Sequence, residues 1–181
     1  DDAAHKPRTF APAEEFEAKL AAAKDRARQG GTQAAQARAD EKKHLESLVS
    51  AAEQLQRAGD LDGAGKAFDR ALEVEPTSPR ALANRAKVHY DQQDLEASER
   101  LYRKALVAHP VDPSAWLNLA LVQLRRGIHL SDARMHAERS VTLLHAQPQD
   151  GLSKQLLTRA HGVLDAIGAA EAEAAAAEAA E

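Results

Sequence analysis

Cysteine is absent from this 181-residue chain. Disulfides, thiolate metal sites, iron–sulfur clusters and covalently attached haem are therefore excluded, and the redox compartment is left open. Aromatic residues make up only 3%. No run of about 18 apolar residues occurs, so no transmembrane helix is expected. Nor is charge of one sign massed: 24 Lys and Arg are interspersed with 28 Asp and Glu for a net charge of -4. The basic footprint of a nucleic-acid binder is missing, and none is expected as a partner. What the chain has in quantity is Ala, Leu, Glu, Gln, Arg and Lys, the strong helix formers, which predicts an all-α protein packed through small residues and leucines. Its length suits one core with extensions. The first residue is Asp1 rather than Met. That fits removal of an export signal and leans toward an exported or periplasmic location, with the cytoplasm as the open alternative.

The chain repeats itself with a period of 34 residues. Pro76 recurs as Pro110, Pro79 as Pro113, Phe68 as Tyr102, and Asp60-Leu61 as Asp94-Leu95. The same step relates Ala81 to Ala115, Leu82 to Trp116, Asn84 to Asn118, Ala86 to Ala120 and Val88 to Val122. A period of this size signals stacked supersecondary units, each burying the face of its neighbour. Three units follow, 45–78, 79–112 and 113–147. Ser78-Pro79 and Asp112-Pro113 read as an N-cap residue with proline at the first helical position. Ala64, Ala71, Ala105 and Ala137 fall where helices must approach closely, with Phe68, Tyr102, Leu82 and Trp116 filling the space beside them.

The segments GDLDGAGKAFDRALEVEP, QDLEASERLYRKALVAHP and SAWLNLALVQLRRG resemble the tetratricopeptide-repeat family. The third unit departs from its pattern and fits with one residue inserted after Gly127, which sets Ala133, Ala137 and Ser140 at the small-residue positions. The resemblance implies an α-solenoid of antiparallel helix pairs, a superhelix that recognises other polypeptides.

Beyond the repeats, Leu152, Leu156, Leu157, Ala160, Val163, Leu164 and Ile167 form an apolar stripe at helical spacing. A capping helix is expected over 148–168, because a solenoid must close its last apolar face. The Ala/Glu tail, 169–181, has no large apolar residue to dock and reads as a solvated helix extension or as disordered chain. Residues 1–44 read as an N-terminal arm. It is extended through Pro7 and Pro12 and helical over 13–29 with Phe16, Leu20, Ala23 and Ala27 on one face. Gly30-Gly31 interrupts it before a second helix.

Chemical motifs are sparse. GAGK at 63–66 lacks the spacing of a phosphate-binding loop, since Gly59 stands one residue too far away and Ala67 follows the lysine. The eight histidines, His5, His44, His89, His109, His129, His136, His145 and His161, include no pair four apart on one helix. No metal or cofactor is expected. No Ser or Cys nucleophile stands in a strained turn beside a base, and no enzyme is expected.

By the family resemblance, Asn84 and Asn118 occupy a position facing the concave groove, where an amide that donates and accepts at once can grip the backbone of an extended peptide. Trp116 falls at a core position. The remaining groove positions read Glu46, Val49, Glu53 and Gln56, then Arg80, Ala83, Lys87 and Tyr90, then Ser114, Leu117, Leu121 and Leu124. The surface grades from acidic through basic to apolar. Val49 and Glu53 replace the Lys and Asn with which some relatives clamp a terminal carboxylate. The leucines require a partner or an intramolecular cover. The expected partner-binding set is Asn84, Asn118, Lys87, Tyr90, Leu117, Leu121 and Leu124. The expected role is a protein–protein interaction scaffold in the assembly or architecture of a larger complex. The alternatives are a permanent structural subunit held through the arm and outer faces, and self-association.

Overall fold

The computed structural model describes residues 13–148 and 150–179, with all their side chains except those of 13–19, 23 and 27. Seven helices follow one another among the described residues, with no strand: α1 (Ala13–Arg57), α2 (Leu61–Val74), α3 (Pro79–Asp91), α4 (Leu95–Ala108), α5 (Pro113–Arg126), α6 (Leu130–His145) and α7 (Gly151–Glu178). No helix among them is long and apolar enough to cross a membrane. The extended segment expected over 1–12, His5, the side chains of Phe16, Ala23 and Ala27, and the last two residues of the tail lie outside the described residues.

The chain divides into two units, 1–44 and 45–181. In the first, α1 runs unbroken through Gly30-Gly31, where the sequence predicts an interruption. Each glycine costs about 1 kcal/mol relative to Ala, but the Ala, Gln, Arg and Lys residues around them carry the helix across. Every described side chain from Leu20 to His44 is exposed.

In the second unit, α2 packs on α3, α3 on α4, α4 on α5, α5 on α6 and α6 on α7. The end of α1 joins this stack through Val49 and Ala52, which share a core with Ala64, Phe68, Ala71, Ala81 and Val88. Ala64, Ala71, Ala81 and Ala86 are wholly buried beside the ring of Phe68 or Tyr102, so small residues set the helix spacing and large ones fill it. Helices α3 and α5 touch, as do α5 and α7, whereas α2, α4 and α6 do not touch one another among the described residues. The stack therefore curls toward α3, α5 and α7, whose faces line its concave side.

The helix-pair turns repeat a backbone device. Gly59 (φ 85), Gln93 (φ 67) and Gly127 (φ 68) all adopt the left-handed conformation that ends a helix. Asp60 and Asp94 then cap α2 and α4, accepting from the Gly63 and Ala97 amides. Asp112 caps α5 through the Ser114 and Ala115 amides. Ser78 occupies the corresponding place before α3, but its hydroxyl caps nothing. In the third unit His129 (φ 54) is a second left-handed residue before α6. The extra loop residue sets Ala133, Ala137 and Ser140 in the core, all at 0% exposure. Helix α7, capped by Asp150, buries Ala160, Val163 and Ile167, while Leu152 of the expected stripe is exposed. The helix continues through the Ala/Glu segment as far as Glu178, and Glu171 pairs with Arg134 of α6 at 2.5 Å.

Candidate functional site: the concave face

A cleft of about 380 Å³ opens between α3 and α5. Its walls are Arg80, Ala83, Asn84 and Lys87 on one side and Ser114, Ala115 and Asn118 on the other, with Tyr102 of α4 between them. Asn84 Nδ2 donates to Glu53 Oε1 at 2.8 Å. The same carboxylate accepts from Arg80 Nε at 2.9 Å and Nη2 at 2.7 Å, a bidentate pair. Thus acidic Glu53 and basic Arg80 neutralise each other here. Asn118 Oδ1 accepts from Arg159 Nη2 of α7 at 3.4 Å.

The cleft continues into a smaller pocket of about 100 Å³ lined by Lys87, Tyr90, Asp91, Tyr102, Asn118, Leu121 and Arg159. Lys87, Tyr102 and Asn118 line both, which makes one depression of the two. Arg125 lies over the Tyr90 ring, 4.9 Å from its centroid, and holds it against the face. Burial pushes the Tyr102 phenol well above its ordinary range, so its hydroxyl keeps its proton.

Of the expected groove residues, the structure places Asn84, Asn118 and Lys87 around the cleft and Tyr90 and Leu121 in the adjoining pocket. Leu117 requires correction. It is 0% exposed, because α7 lies over α5 and packs Ala160, Val163 and Ile167 against it. Leu121 and Leu124 are half-buried against the same cluster, so the cover over the three leucines is intramolecular. Val49 is likewise core, at 2% exposure. Sequence reasoning missed Arg159 altogether. It belongs to α7, where the 34-residue repeat gives no register, and no local signal marks it.

Behind the concave face runs a buried polar network that the repeat pattern does not announce. Glu99 of α4, 2% exposed, takes hydrogen bonds from Gln123 Nε2 of α5 at 3.3 Å and from Arg126, and pairs with Arg103 at 2.6 Å. Gln123 Oε1 meets His136 Nδ1 of α6 at 2.7 Å, and the imidazole stacks on Trp116 with ring centroids 5.2 Å apart. Trp116 Nε1 donates to the Pro110 carbonyl at 2.9 Å. The network ties three helices together. The GAGK residues lie inside α2, with Ala64 and Gly65 buried, and offer no loop to a phosphate.

A family model described as tetratricopeptide repeat matches residues 49–113 and 84–134. No curated protein matches the sequence. Among solved structures, the Yersinia enterocolitica type III secretion chaperone SycD, in complex with a peptide of the translocator YopD, is similar to this chain. The TM-score is 0.64 at 20% identity, over 71% of this chain and 95% of SycD. PcrH, known from Pseudomonas aeruginosa and solved with the chaperone binding region of PopD, matches with a TM-score of 0.65 at 22% identity, over 72% of this chain and 95% of that one. The first such domain of Spaghetti (RPAP3), bound to an HSP90 peptide, matches with a TM-score of 0.55 at 16% identity, over 67% and 93%.

Proposed function

Because this chain is a tetratricopeptide-repeat protein, we propose that it is a peptide-binding adaptor whose partner lies extended along the face of α3 and α5 and is thereby brought into a larger assembly. One observation carries the reading: Asn84 and Asn118, one repeat apart, line a single cleft with a small-residue floor at Ala83 and Ala115. Two amides spaced by a helix pair can each hold a peptide group of an extended strand, and alanines leave its backbone room to approach. The similar chaperones SycD and PcrH, solved with segments of YopD and PopD, support the same use of the fold.

The experiment is titration of the whole chain with peptides that it selects from a random library. Changing Asn84 and Asn118 together to Ala should leave the fold in place, since both are only half-buried, and should weaken binding by roughly 1–3 kcal/mol. Binding as tight as the parent's would move the interface elsewhere. A second reading, a permanent subunit held through its outer surface, draws on a separate cleft of about 800 Å³ bordered by Pro76, Leu82, Val107 and Ala108. Val107 there is 86% exposed. Val107→Glu would abolish association under that reading and leave peptide binding unchanged under the first.

A further inference from the structure

Over most of its length α1 serves no core. Every described side chain from Leu20 to His44 is exposed, the large apolar Leu20 at 45% among them. The middle of the helix is also less stable than it need be. Gly30 and Gly31 are helical, without positive φ, and a Cβ placed on either meets no atom within 4 Å. Neither a turn nor a close approach inside the chain calls for glycine there, yet each costs the helix about 1 kcal/mol relative to Ala. What glycine permits at such a place is the near approach of another backbone. Gly30 belongs to a stripe that alternates steps of three and four residues: Phe16, Leu20, Ala23, Ala27, Gly30, Ala34 and Ala37. The stripe carries no charge, whereas every other stripe of that spacing running from 16 to 37 includes Lys, Arg, Asp or Glu. Steps of this kind form the seam of a two-helix coiled coil.

The charges that flank the seam decide what covers it. Glu17, Lys24, Gly31 and Arg38 border it on one side, and Lys19, Arg26, Gln33 and Asp40 on the other. A second copy laid parallel sets one row against the other and brings Lys19 beside Lys24. A second copy laid antiparallel sets each row against itself. In one antiparallel register Leu20 lies opposite Ala37 and Ala27 opposite Gly30. Lys19 then faces Asp40 and Glu17 faces Arg38, each twice by symmetry, while Lys24 and Arg26 face the uncharged Gly31 and Gln33. Sliding the pair by one heptad sets Lys24 against Arg38 in one direction. In the other it sets Lys24 and Arg26 each against its own copy. Like charges disfavour both shifts. We infer that α1 is a homodimerisation arm, which pairs antiparallel with α1 of a second copy in the complementary register. Small residues at Ala23, Ala27, Gly30 and Ala34 bring the two helices close, and the ion pairs at either end fix direction and register. The contact spans 16–41, within the first unit of the chain, and is independent of the groove reading above.

The test uses the whole chain. Sedimentation equilibrium across about a hundredfold range of concentration should show a monomer–dimer equilibrium. Lys19→Glu sets like charges together twice and should weaken the dimer roughly tenfold, and adding Asp40→Lys to the same chain should restore it. Gly30→Leu should raise helix content in circular dichroism and yet weaken the dimer roughly tenfold, because the better helix former holds the second backbone away. Direction is read by cross-linking, which the absence of native cysteine leaves without background. Ala23 lies opposite Ala34 of the second copy in this register. A mixture of Ala23→Cys and Ala34→Cys chains should therefore oxidise to a linked dimer, and neither chain alone should, since a disulfide needs Cα atoms within about 7 Å. A mass that stays monomeric throughout overturns the inference and leaves the seam to a helix of another protein. A linked dimer from Ala34→Cys alone overturns the antiparallel pairing. Association indifferent to both Lys19→Glu and Gly30→Leu overturns the arm as its site.

Discussion

Gln93 is the one residue of the three left-handed turn positions that has a side chain to strain. Its φ of 67 matches those of Gly59 and Gly127 one repeat to either side, and a left-handed residue with a Cβ costs about 1–2 kcal/mol. Glycine removes that cost but loses more entropy on folding. Gln93→Gly should therefore stabilise the chain by about 0.5–1 kcal/mol, seen as a higher urea midpoint at unchanged slope. Glu99 works in the opposite sense. It is 2% exposed and serves Gln123, Arg103 and Arg126 at once, so Glu99→Ala leaves a buried amide and two arginines without their acceptor. The arginines can turn outward, being 52% and 23% exposed. A loss of about 3 kcal/mol is expected, at the low end for a broken buried pair, and thermal melting would measure it.

At the scale of elements, α7 is the part whose role reaches furthest beyond its sequence. Its stripe at helical spacing reads as a closing helix, but the spacing cannot say which of its residues meet α5 and which meet solvent. Ile167 turns out to be wholly buried, Leu152 exposed and Arg159 turned toward the cleft. Ile167→Asp should cost on the order of 3 kcal/mol by setting an unpaired charge against Leu117 and Ala137. In a repeat array contacts run only between neighbours, so hydrogen exchange should rise in α6 and α7 first and in α2 last. Equal acceleration throughout would contradict that picture. Helix α1 teaches the converse. Its two adjacent glycines read as a break, yet a long run of strong helix formers absorbs them.

For the whole molecule, two half-buried histidines make stability depend on pH. Burial is the main cause holding His136 below its ordinary pKa of 6.5, with Arg103 adding to it against Asp132 and Glu99. Burial lowers His89 in the same way, with Arg85 adding to it against Asp94 and Asp69. An unfolded chain takes up these protons at a higher pH than the folded one. Stability is therefore fully present above the unfolded pKa of about 6.5 and falls as pH drops through the window below it, levelling once the folded imidazoles are also charged. The melting temperature should be lower at about pH 5.5 than at about pH 7.5, and His136→Phe should flatten part of the difference. A profile without slope across that window would show that neither imidazole resists protonation.

The helix starts and the burial of Ala133, Ala137 and Ser140 follow from sequence alone, because the period, with one residue inserted after Gly127, transfers each position's environment to its counterpart one unit on. The period relates Asn84 to Asn118, and the family resemblance implies that both face the groove. It fails where the periodicity ends. Leu117 is a groove position by the family resemblance, yet the non-repeating α7 packs over it. The joining of Arg159, Tyr102 and Lys87 around one recess depends on how four helices meet in space. The reason is physical: a local pattern states which face of a helix is apolar, whereas the neighbour that covers that face, and the polar groups carried in with it, are chosen by packing between segments remote in sequence.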